Sequence, residues 1–173
     1  MSCKPEELLD FLKSRRSIRK FKPTPVPKDL IQKILDTARY APSAGNRQPW
    51  RFIVVDDPSI KEQLANVHPW AWPLKEAPQA IVVVSDKNVS PVSYLVDGAN
   101  ATIYIQLAAH ALGLGTVWLQ TLRNIEDIQR ILNLPENLVP VAMLAIGYPD
   151  EQSKPKERLP LEELVYYNKY PQK

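Results

Sequence analysis

The stretch PSAGNRQPWRFIVV, residues 42–55, joins a loop of turn-forming residues directly to a short β-branched run. The loop, Ala41–Trp50, contains two prolines, a glycine and an asparagine, which favour turns. The following run, Arg51–Asp56, is apolar and ends at two adjacent aspartates, a pattern that predicts a strand. The chain therefore passes here from irregular to extended structure.

Upstream of this loop, helices are predicted on either side of a basic segment. The first covers Pro5–Lys13 and the second Pro27–Tyr40, each with apolar residues at helical spacing. The basic segment between them reads RRSIRKF, residues 15–21. If it is extended, Arg15, Ser17 and Arg19 share one side. Two guanidinium groups with a hydroxyl between them suit a phosphate dianion, and a solvated run of charge is the alternative interpretation.

Downstream of the loop, helices and strands alternate. The helix predicted at Ser93–Leu112 is apolar almost all the way round, which is typical of a helix buried in a core or between subunits. Gly113 suits the residue that ends this helix, and Pro140 indicates that the last strand lies at a sheet edge or starts at that residue. The other elements predicted in chain order are a helix at Pro58–Val67, an aromatic loop at His68–Pro73, a strand at Gln79–Ser85, a strand at Thr116–Leu119, a helix capped by Asn124 that reaches Leu132, and a strand at Val139–Ile146.

Length and composition exclude several classes of protein. The 173 residues, 45% of them hydrophobic, suit one globular domain. A single cysteine cannot form an internal disulfide or a cysteine-rich zinc site, and two histidines cannot supply a three-histidine metal site. A net charge of +3 is too small to indicate nucleic-acid binding by itself. We therefore expect no metal site and no nucleic-acid partner.

The apolar and glycine patterns narrow the classes further. No apolar run approaches the roughly 20 residues of a membrane helix, and the acidic N-terminal residues lack a signal core. These features predict a cytoplasmic protein with no membrane partner. The only Gly-x-Gly is Gly113-Leu114-Gly115, and Trp118 stands where a dinucleotide fingerprint needs its third glycine.

Few side chains suggest nucleophilic or acid–base catalysis. His110 lies within an apolar helix and is interpreted as a paired core or interface histidine rather than a catalyst. Cys3 has no acid or base near it in sequence. His68, Trp70 and Trp72 are candidates for the lining of a substrate pocket, with ordinary loop packing as the alternative.

Four segments of the chain, taken in order, resemble those of the FMN-dependent nitroreductase family. They are spread over most of the sequence, and their order is that of the family. The segments are RRSIR at 15–19, PSAGNRQPW at 42–50, GLGTVWL at 113–119, and AIGYP at 145–149 followed by KPKERLP at 154–160.

The resemblance implies an α+β fold in which helices flank a mostly antiparallel sheet, within an intertwined homodimer. It implies one FMN-binding domain over 1–173, whose arm, 153–173, contacts the partner subunit. Ser43 and Asn46 would reach the cofactor from the other subunit, and the backbone N–H of Leu119, the one catalytic group, would face flavin N5. The other cofactor-binding residues implied are Arg15, Ser17 and Arg158 with Lys156 and Arg16 at the phosphate, Arg19 at the pyrimidine edge, and Val117, Trp118 and Gln120 beside the ring.

Two features depart from the larger members of that family. Their second polar or basic residue at the pyrimidine edge has no clear counterpart here, and Lys75 is the candidate. The chain is also short, so the helical excursion that often lids the site is expected to be trimmed or absent.

The function that the resemblance implies is an FMN-dependent oxidoreductase. It would use NAD(P)H to reduce nitroaromatics, quinones or similar electrophiles by a ping-pong mechanism. Three alternatives stay open: a flavoenzyme of the same fold with dehalogenating or flavin-fragmenting chemistry, a non-catalytic flavin carrier, and a small basic nucleic-acid module that uses the Arg15–Lys20 run.

Overall fold

A four-stranded antiparallel sheet forms the centre of the computed structural model, which describes residues 4–170. Its strands are β1 (Trp50–Val55), β2 (Gln79–Asp86), β3 (Gly115–Gln120) and β4 (Leu138–Gly147), in the order β1-β2-β4-β3. Every pairing is antiparallel. The predicted α+β class and the mostly antiparallel sheet are therefore confirmed.

Six α-helices flank the sheet in the described part of the chain. Short 3-10 turns lie at Ala44–Asn46, Pro69–Ala71 and Leu161–Glu163, so the predicted aromatic loop is partly helical. Among residues 4–170, no helix has the length and apolar character needed to cross a bilayer. The α-helices are α1 (Pro5–Ser14), α2 (Lys28–Ala38), α3 (Pro58–Ala65), α4 (Pro73–Glu76), α5 (Tyr94–Ala111) and α6 (Ile125–Ile131).

The two faces of the sheet bury different helices, because successive side chains of a strand point to opposite faces. On one face, Val82 and Val84 pack in a cluster with Leu64 of α3 and Ile128 of α6. On the other face, alternate strand residues pack with the apolar sides of α2 and α5. Strand β2 is consequently buried along nearly its whole length.

Helix α5 ends in a glycine cap directly before β3. Gly113 has a φ of 74°, and its N–H bonds to the carbonyl of His110. The N–H of Leu114 bonds to the carbonyl of Ala109, so both bonds of a Schellman motif are present. The prediction that Gly113 ends this helix is confirmed.

Pro140 does not mark an edge strand, contrary to expectation, because β4 lies between β2 and β3. Pro140 pairs with Val84 where the β2–β4 register shifts. It also lies beyond Ala142, which is the last β4 residue paired with β3. The missing N–H of proline is tolerated at such a bulge beyond the end of the neighbouring strand.

Asn124 occupies the N-cap position of α6, but its side chain makes no capping hydrogen bond. Its amide instead donates to the carbonyl of Val67 at 3.0 Å. The predicted cap is therefore a tether between the start of α6 and the aromatic segment that follows α3.

Candidate functional site

The basic segment lies along the outer edge of β3. Ser17 and Thr116 form a parallel bridge, and the N–H of Ile18 donates to the carbonyl of Thr116 at 3.0 Å. Ile18 is buried directly over Gly115, where an added Cβ would lie 2.7 Å from the Cβ of Ile18. The absence of a side chain at Gly115 therefore allows this close approach, and the extended segment predicted from the sequence forms.

The chain that leaves β4 returns beside the same segment. The N–H of Lys22 donates to the carbonyl of Tyr148, and the N–H of Asp150 donates to that of Lys20. The carboxylate of Glu151 accepts the N–H of Arg19 at 2.5 Å and that of Lys20 at 3.1 Å. These bonds bring the C-terminal arm against the basic segment, although the two are far apart in sequence.

Together these segments form a small concave site that we call the basic cradle. It has a volume of about 100 Å³. Its lining contains six cationic side chains, two serines and no carboxylate. The lining residues are Arg15, Arg16, Ser17, Arg19, Ser153, Lys154, Lys156 and Arg158.

Arg15 is a partly buried cation of the cradle. One guanidinium nitrogen, Nη1, is buried and has no hydrogen-bond partner among residues 4–170. Burial, together with the charges of Arg16 and Arg158, lowers the pKa of the Arg15 guanidinium. A buried cation among like charges favours an anionic ligand, and a phosphate would satisfy the free donor.

A larger site, the aromatic cavity, adjoins the cradle and has a volume of about 560 Å³. Arg19 lines both sites, so they lie side by side. The size is that of a small-molecule site. The cavity is lined by Arg19, His68, Pro69, Trp70, Trp72, Val117, Trp118, Leu119, Gln120, Arg123 and Asn124.

Backbone alternation along β3 decides which N–H groups face outward. The carbonyl of Thr116 accepts from Ile18, and the carbonyl of Gln120 accepts from His68 Nε2 at 2.8 Å. Both groups therefore point away from β4. Because the N–H and C=O of one strand residue point the same way, Trp118 and Gln120 present outward donors, whereas Leu119 faces β4. This geometry is at odds with Leu119 as the donor to a ligand and favours Gln120.

The loop before β1 stands apart from both sites in its own protomer. Ser43 Oγ accepts the N–H of Gln48, and Asn46 Oδ1 accepts from the Gln48 amide. Asn46 and Gln48 have φ values of 55° and 49°. Such left-handed backbone in non-glycine residues is costly and concentrates at functional sites.

Helix α5 holds this loop in place. The buried carboxylate of Asp97 accepts the N–H of Ala44 at 2.9 Å and the hydroxyl of Ser90 at 2.7 Å. The amide of Asn100 donates to the carbonyl of Pro42 at 3.0 Å. Ser43 and Asn46 line neither the cradle nor the aromatic cavity of the chain that carries them, so they could act there only from a second copy.

Both histidines make specific contacts. Ser14 Oγ donates to the carbonyl of Phe11, so its 2.7 Å contact with His110 Nε2 is a bond donated by the imidazole. The ring also stacks on Phe11. Burial, with the charges of Arg15 and Arg16, lowers the pKa of His110. His110 is thus a paired, neutral histidine, as predicted, although it is only half buried.

Some lining residues were predicted and others were missed. Trp70 and Trp72 line the aromatic cavity, whereas Lys75 does not and instead pairs with Glu62. Cys3 lies outside the described residues. Ser153 and Lys154 of the cradle and Arg123 of the aromatic cavity were missed, as was Glu151, which binds the backbone of the basic segment. Among these, only Arg123 had a local signal, since it follows Gln120 by three residues.

Comparison with known proteins supports one family. The family model described as the nitroreductase family matches residues 12–105 and 74–148. A relative from Methanothermobacter thermautotrophicus, provisionally named an NADH dehydrogenase/NAD(P)H nitroreductase, is 41% identical over 84% of this chain and 78% of its own. A Staphylococcus saprophyticus relative named NADPH-dependent oxidoreductase is 31% identical over 95% of this chain and 74% of its own.

A solved structure has the same fold. The Clostridium difficile protein described as an FMN-dependent nitroreductase superposes with a TM-score of 0.86 at 37% identity, covering 94% of this chain and 99% of that one. The family match covers most of the described sheet and helices. On these grounds the resemblance predicted from the sequence is confirmed, and the chain belongs to the nitroreductase family, a family of enzymes.

Proposed function

We propose that this protein is an FMN-dependent oxidoreductase that passes electrons from NAD(P)H to a nitroaromatic, a quinone or a similar electrophile. The observation that carries the proposal is that two sites of different character lie side by side and share Arg19. One site is small and cationic, and the other is larger and aromatic. This pairing matches the phosphate and the ring system of one mononucleotide.

The cradle residues fit a phosphate. Arg15 offers an unpartnered buried donor. Within the part of the chain that the structure describes, the guanidinium of Arg158 bonds only to backbone carbonyls of its own arm. Arginine forks and a serine hydroxyl suit phosphate oxygens. In this arrangement Arg15, Ser17 and Arg158 hold the phosphate, and Arg16, Lys154 and Lys156 contribute charge.

The aromatic cavity would receive the ring. Arg19 would favour negative charge on the pyrimidine edge, beside Val117 and Trp118. The outward N–H of Gln120 would be the donor to flavin N5, in place of the predicted Leu119. Bound FMN would supply two-electron chemistry by accepting hydride from NAD(P)H and returning it to the second substrate.

The chain's own residues bind and orient rather than react. For a nitroarene, NAD(P)H and one proton yield NAD(P)⁺, the nitroso product and water. No side-chain nucleophile enters this balance. NAD(P)H and the electrophile would occupy the same face of the flavin ring in turn, which gives ping-pong kinetics.

The site would be completed in a homodimer with one domain per chain. Ser43 and Asn46 lie on a loop that hydrogen bonds hold in place, and they line neither the cradle nor the aromatic cavity of their own protomer. A second copy could place this loop at the cofactor, and the arm at 153–173 would contact the same partner.

The test is the absorption spectrum of the purified protein, followed by anaerobic addition of NADH or NADPH. We expect a flavin spectrum that bleaches with the nicotinamide and recovers with a nitroaromatic. Bound flavin that no nicotinamide reduces would indicate a flavin carrier. A colourless protein that does not take up FMN would contradict the proposal.

A further inference from the structure

One wall of the aromatic cavity is not assigned to FMN in the proposed arrangement. It consists of the segment His68–Trp72 and the start of α6, with Arg123 and Asn124. Trp70 is 78% exposed and Trp72 is 40% exposed. We call this set of residues the outer wall. Two exposed indoles on one side of a cavity offer flat apolar surface to a second aromatic molecule.

The outer wall is held in place by bonds at both ends. His68 Nε2 donates to the carbonyl of Gln120 at 2.8 Å, and the Asn124 amide donates to the carbonyl of Val67 at 3.0 Å. Ala71, between the two tryptophans, is fully buried. The indoles are therefore presented from a fixed base, which limits the entropy lost when a ligand stacks on them.

The charge of the cavity has one sign. Its lining holds the guanidinium groups of Arg19 and Arg123 and no aspartate or glutamate. Neither guanidinium has a hydrogen bond or an ion pair in the structure, which covers residues 4–170. Uncompensated positive charge in a cleft attracts anions, and arginine binds carboxylates in bidentate geometry.

Arg19 and Arg123 do not serve the same ligand in this arrangement. Arg19 also lines the basic cradle, so it lies on the side assigned to the flavin. Arg123 belongs to the outer wall alone. It is therefore the cation that remains for a second substrate.

We propose that the outer wall selects an electron acceptor that is a single-ring aromatic anion, with Trp70 and Trp72 contacting the ring and Arg123 the carboxylate. This inference rests on the proposed function, because it assigns the second substrate of the same site. The cavity of about 560 Å³ must also hold the flavin ring, so the space left beside the outer wall suits one small ring at a time. The nicotinamide ring and the acceptor would occupy this space in turn, and we assign Arg123 to the acceptor.

The experiment compares 4-nitrobenzoate with 4-nitrobenzamide, which differ mainly in charge, as acceptors for the FMN-loaded protein. The variants are Arg123→Gln and a control, Arg130→Gln, which removes the same charge from an exposed residue of α6 paired with Asp127. We expect Arg123→Gln to lower kcat/KM for 4-nitrobenzoate about 5–10-fold, as for a partly solvated charged hydrogen bond, and for 4-nitrobenzamide less than about twofold. Arg130→Gln should leave kcat/KM unchanged for both acceptors.

A second measurement records binding without turnover. Benzoate, which has no nitro group to reduce, is titrated calorimetrically into the oxidised protein, with benzamide as its neutral counterpart. We expect benzoate to bind more tightly, Arg123→Gln to abolish the difference, and Trp70→Ala to weaken both ligands. Added salt should weaken the binding of benzoate and leave the binding of benzamide unchanged.

The outcomes separate this inference from the proposed function. If 4-nitrobenzamide is reduced as efficiently as 4-nitrobenzoate and Arg123→Gln alters neither, the protein is still a reductase but the anion selectivity is wrong. The same conclusion follows if the only effect of Arg123→Gln is to lower kcat/KM for NADPH relative to that for NADH. If neither acceptor is reduced and no flavin binds, the proposed function itself fails.

Discussion

Arg15 and Arg158 line the same cradle in different environments. Arg15 has a buried, unpartnered nitrogen, whereas Arg158 is exposed on the arm. Since removing one partner of a buried charge pair costs most, Arg15→Ala should weaken FMN binding by about 2–5 kcal/mol. Arg158→Ala should weaken FMN binding by about 1 kcal/mol or less, which is the contribution of an exposed ion pair.

Flavin fluorescence during titration of the apoprotein would measure both affinities. Lys28→Ala, at the exposed start of α2, is the control. If Arg15→Ala binds FMN as tightly as the wild type does, the assignment of the phosphate to the cradle is wrong.

Gln120 offers a second test at the scale of one residue. Gln120→Pro deletes the outward N–H at the end of an edge strand, where proline is tolerated, whereas Gln120→Ala keeps it. Loss of one preorganised donor should slow flavin reduction by about two orders of magnitude, by analogy with oxyanion-hole donors. Anaerobic rapid mixing with NAD(P)H measures this rate. Equal rates in the two variants, each with FMN bound, would show that the N–H is not used.

His110 should make stability depend on pH. Its folded-state pKa is lowered from 6.5 by burial and by Arg15 and Arg16. The unfolded chain therefore takes up a proton first as the pH falls, so the stabilisation is present above about 6.5 and lost below it. Glu151, Arg15, Arg16 and His110 line a third cavity of about 290 Å³, in which the carboxylate of Glu151 opposes the charges of the two arginines.

Urea unfolding of flavin-free wild type and His110→Gln, from pH 8 to pH 5 at one protein concentration, tests this. The advantage of the wild type should shrink on acidification. An advantage that grows as the pH falls would contradict the assignment. Reductase turnover should persist in His110→Gln, because no step uses the imidazole.

At the scale of elements, the contact between the basic segment and β3 depends on Gly115. An alanine Cβ there would meet three atoms of Ile18 within 2.8 Å, and overpacking of this kind costs about 1–3 kcal/mol. Gly115→Ala should lower the free energy of unfolding and also weaken FMN binding, because the displaced segment carries Arg15 and Ser17.

Gly113→Ala is the matched control. Its Cβ would meet nothing within 4 Å, but its φ of 74° would strain alanine by about 1–2 kcal/mol. Stability should fall while FMN affinity is kept. If Gly115→Ala binds FMN as the wild type does, the close contact does not position the cradle.

Local signals explain which elements could be predicted. Helices with apolar periodicity and a clear end, such as α5 with Gly113, follow from the sequence to within one or two residues. The prediction of a sheet edge from Pro140 was wrong, because proline is accommodated here by a register shift against β2 and by the end of β3. Both features depend on the neighbouring strands and cannot be seen in the local sequence. The division of the helices between two sheet faces likewise depends on pairing rather than on local sequence.

The candidate site divides in the same way. Residues 15–19 form one contiguous motif, and Arg15, Arg16, Ser17 and Arg19 do line the cradle. Glu151 acts through backbone N–H groups of a distant segment, which no sequence pattern reveals. The outward direction of the N–H groups of β3, which favours Gln120 over the predicted Leu119 as the donor, depends on strand pairing and not on local sequence.

At the scale of the whole molecule, apolar surface is left uncovered. Helix α1 is amphipathic but buries no residue. Val96 and Ile103 of α5 are also exposed. Exposed apolar area of this extent is typical of a protein interface. It agrees with the proposal that Ser43 and Asn46 complete the site of a second copy.

The C-terminal residues supply the most selective test of that dimer. Leu161, Leu164 and Tyr167 are all exposed, and burying them against a partner would stabilise it by the hydrophobic effect. Deleting residues 161–173 keeps Lys156 and Arg158, so any loss of FMN would act through the interface and not through the cradle. We expect the truncated chain to sediment as a smaller species, to lose flavin and to unfold at lower denaturant concentration.

A full-length variant with Leu161→Ser, Leu164→Ser and Tyr167→Ser separates apolar contact from chain length, and it should reproduce the truncation. A variant with Glu162→Gln and Glu163→Gln, in the same 3-10 turn, is the control, because it alters charge and leaves the apolar side chains in place. Since Ser43 and Asn46 line neither the cradle nor the aromatic cavity of their own protomer, dissociation and flavin release should share one dependence on protein concentration. A monomer that keeps its flavin would contradict the shared site.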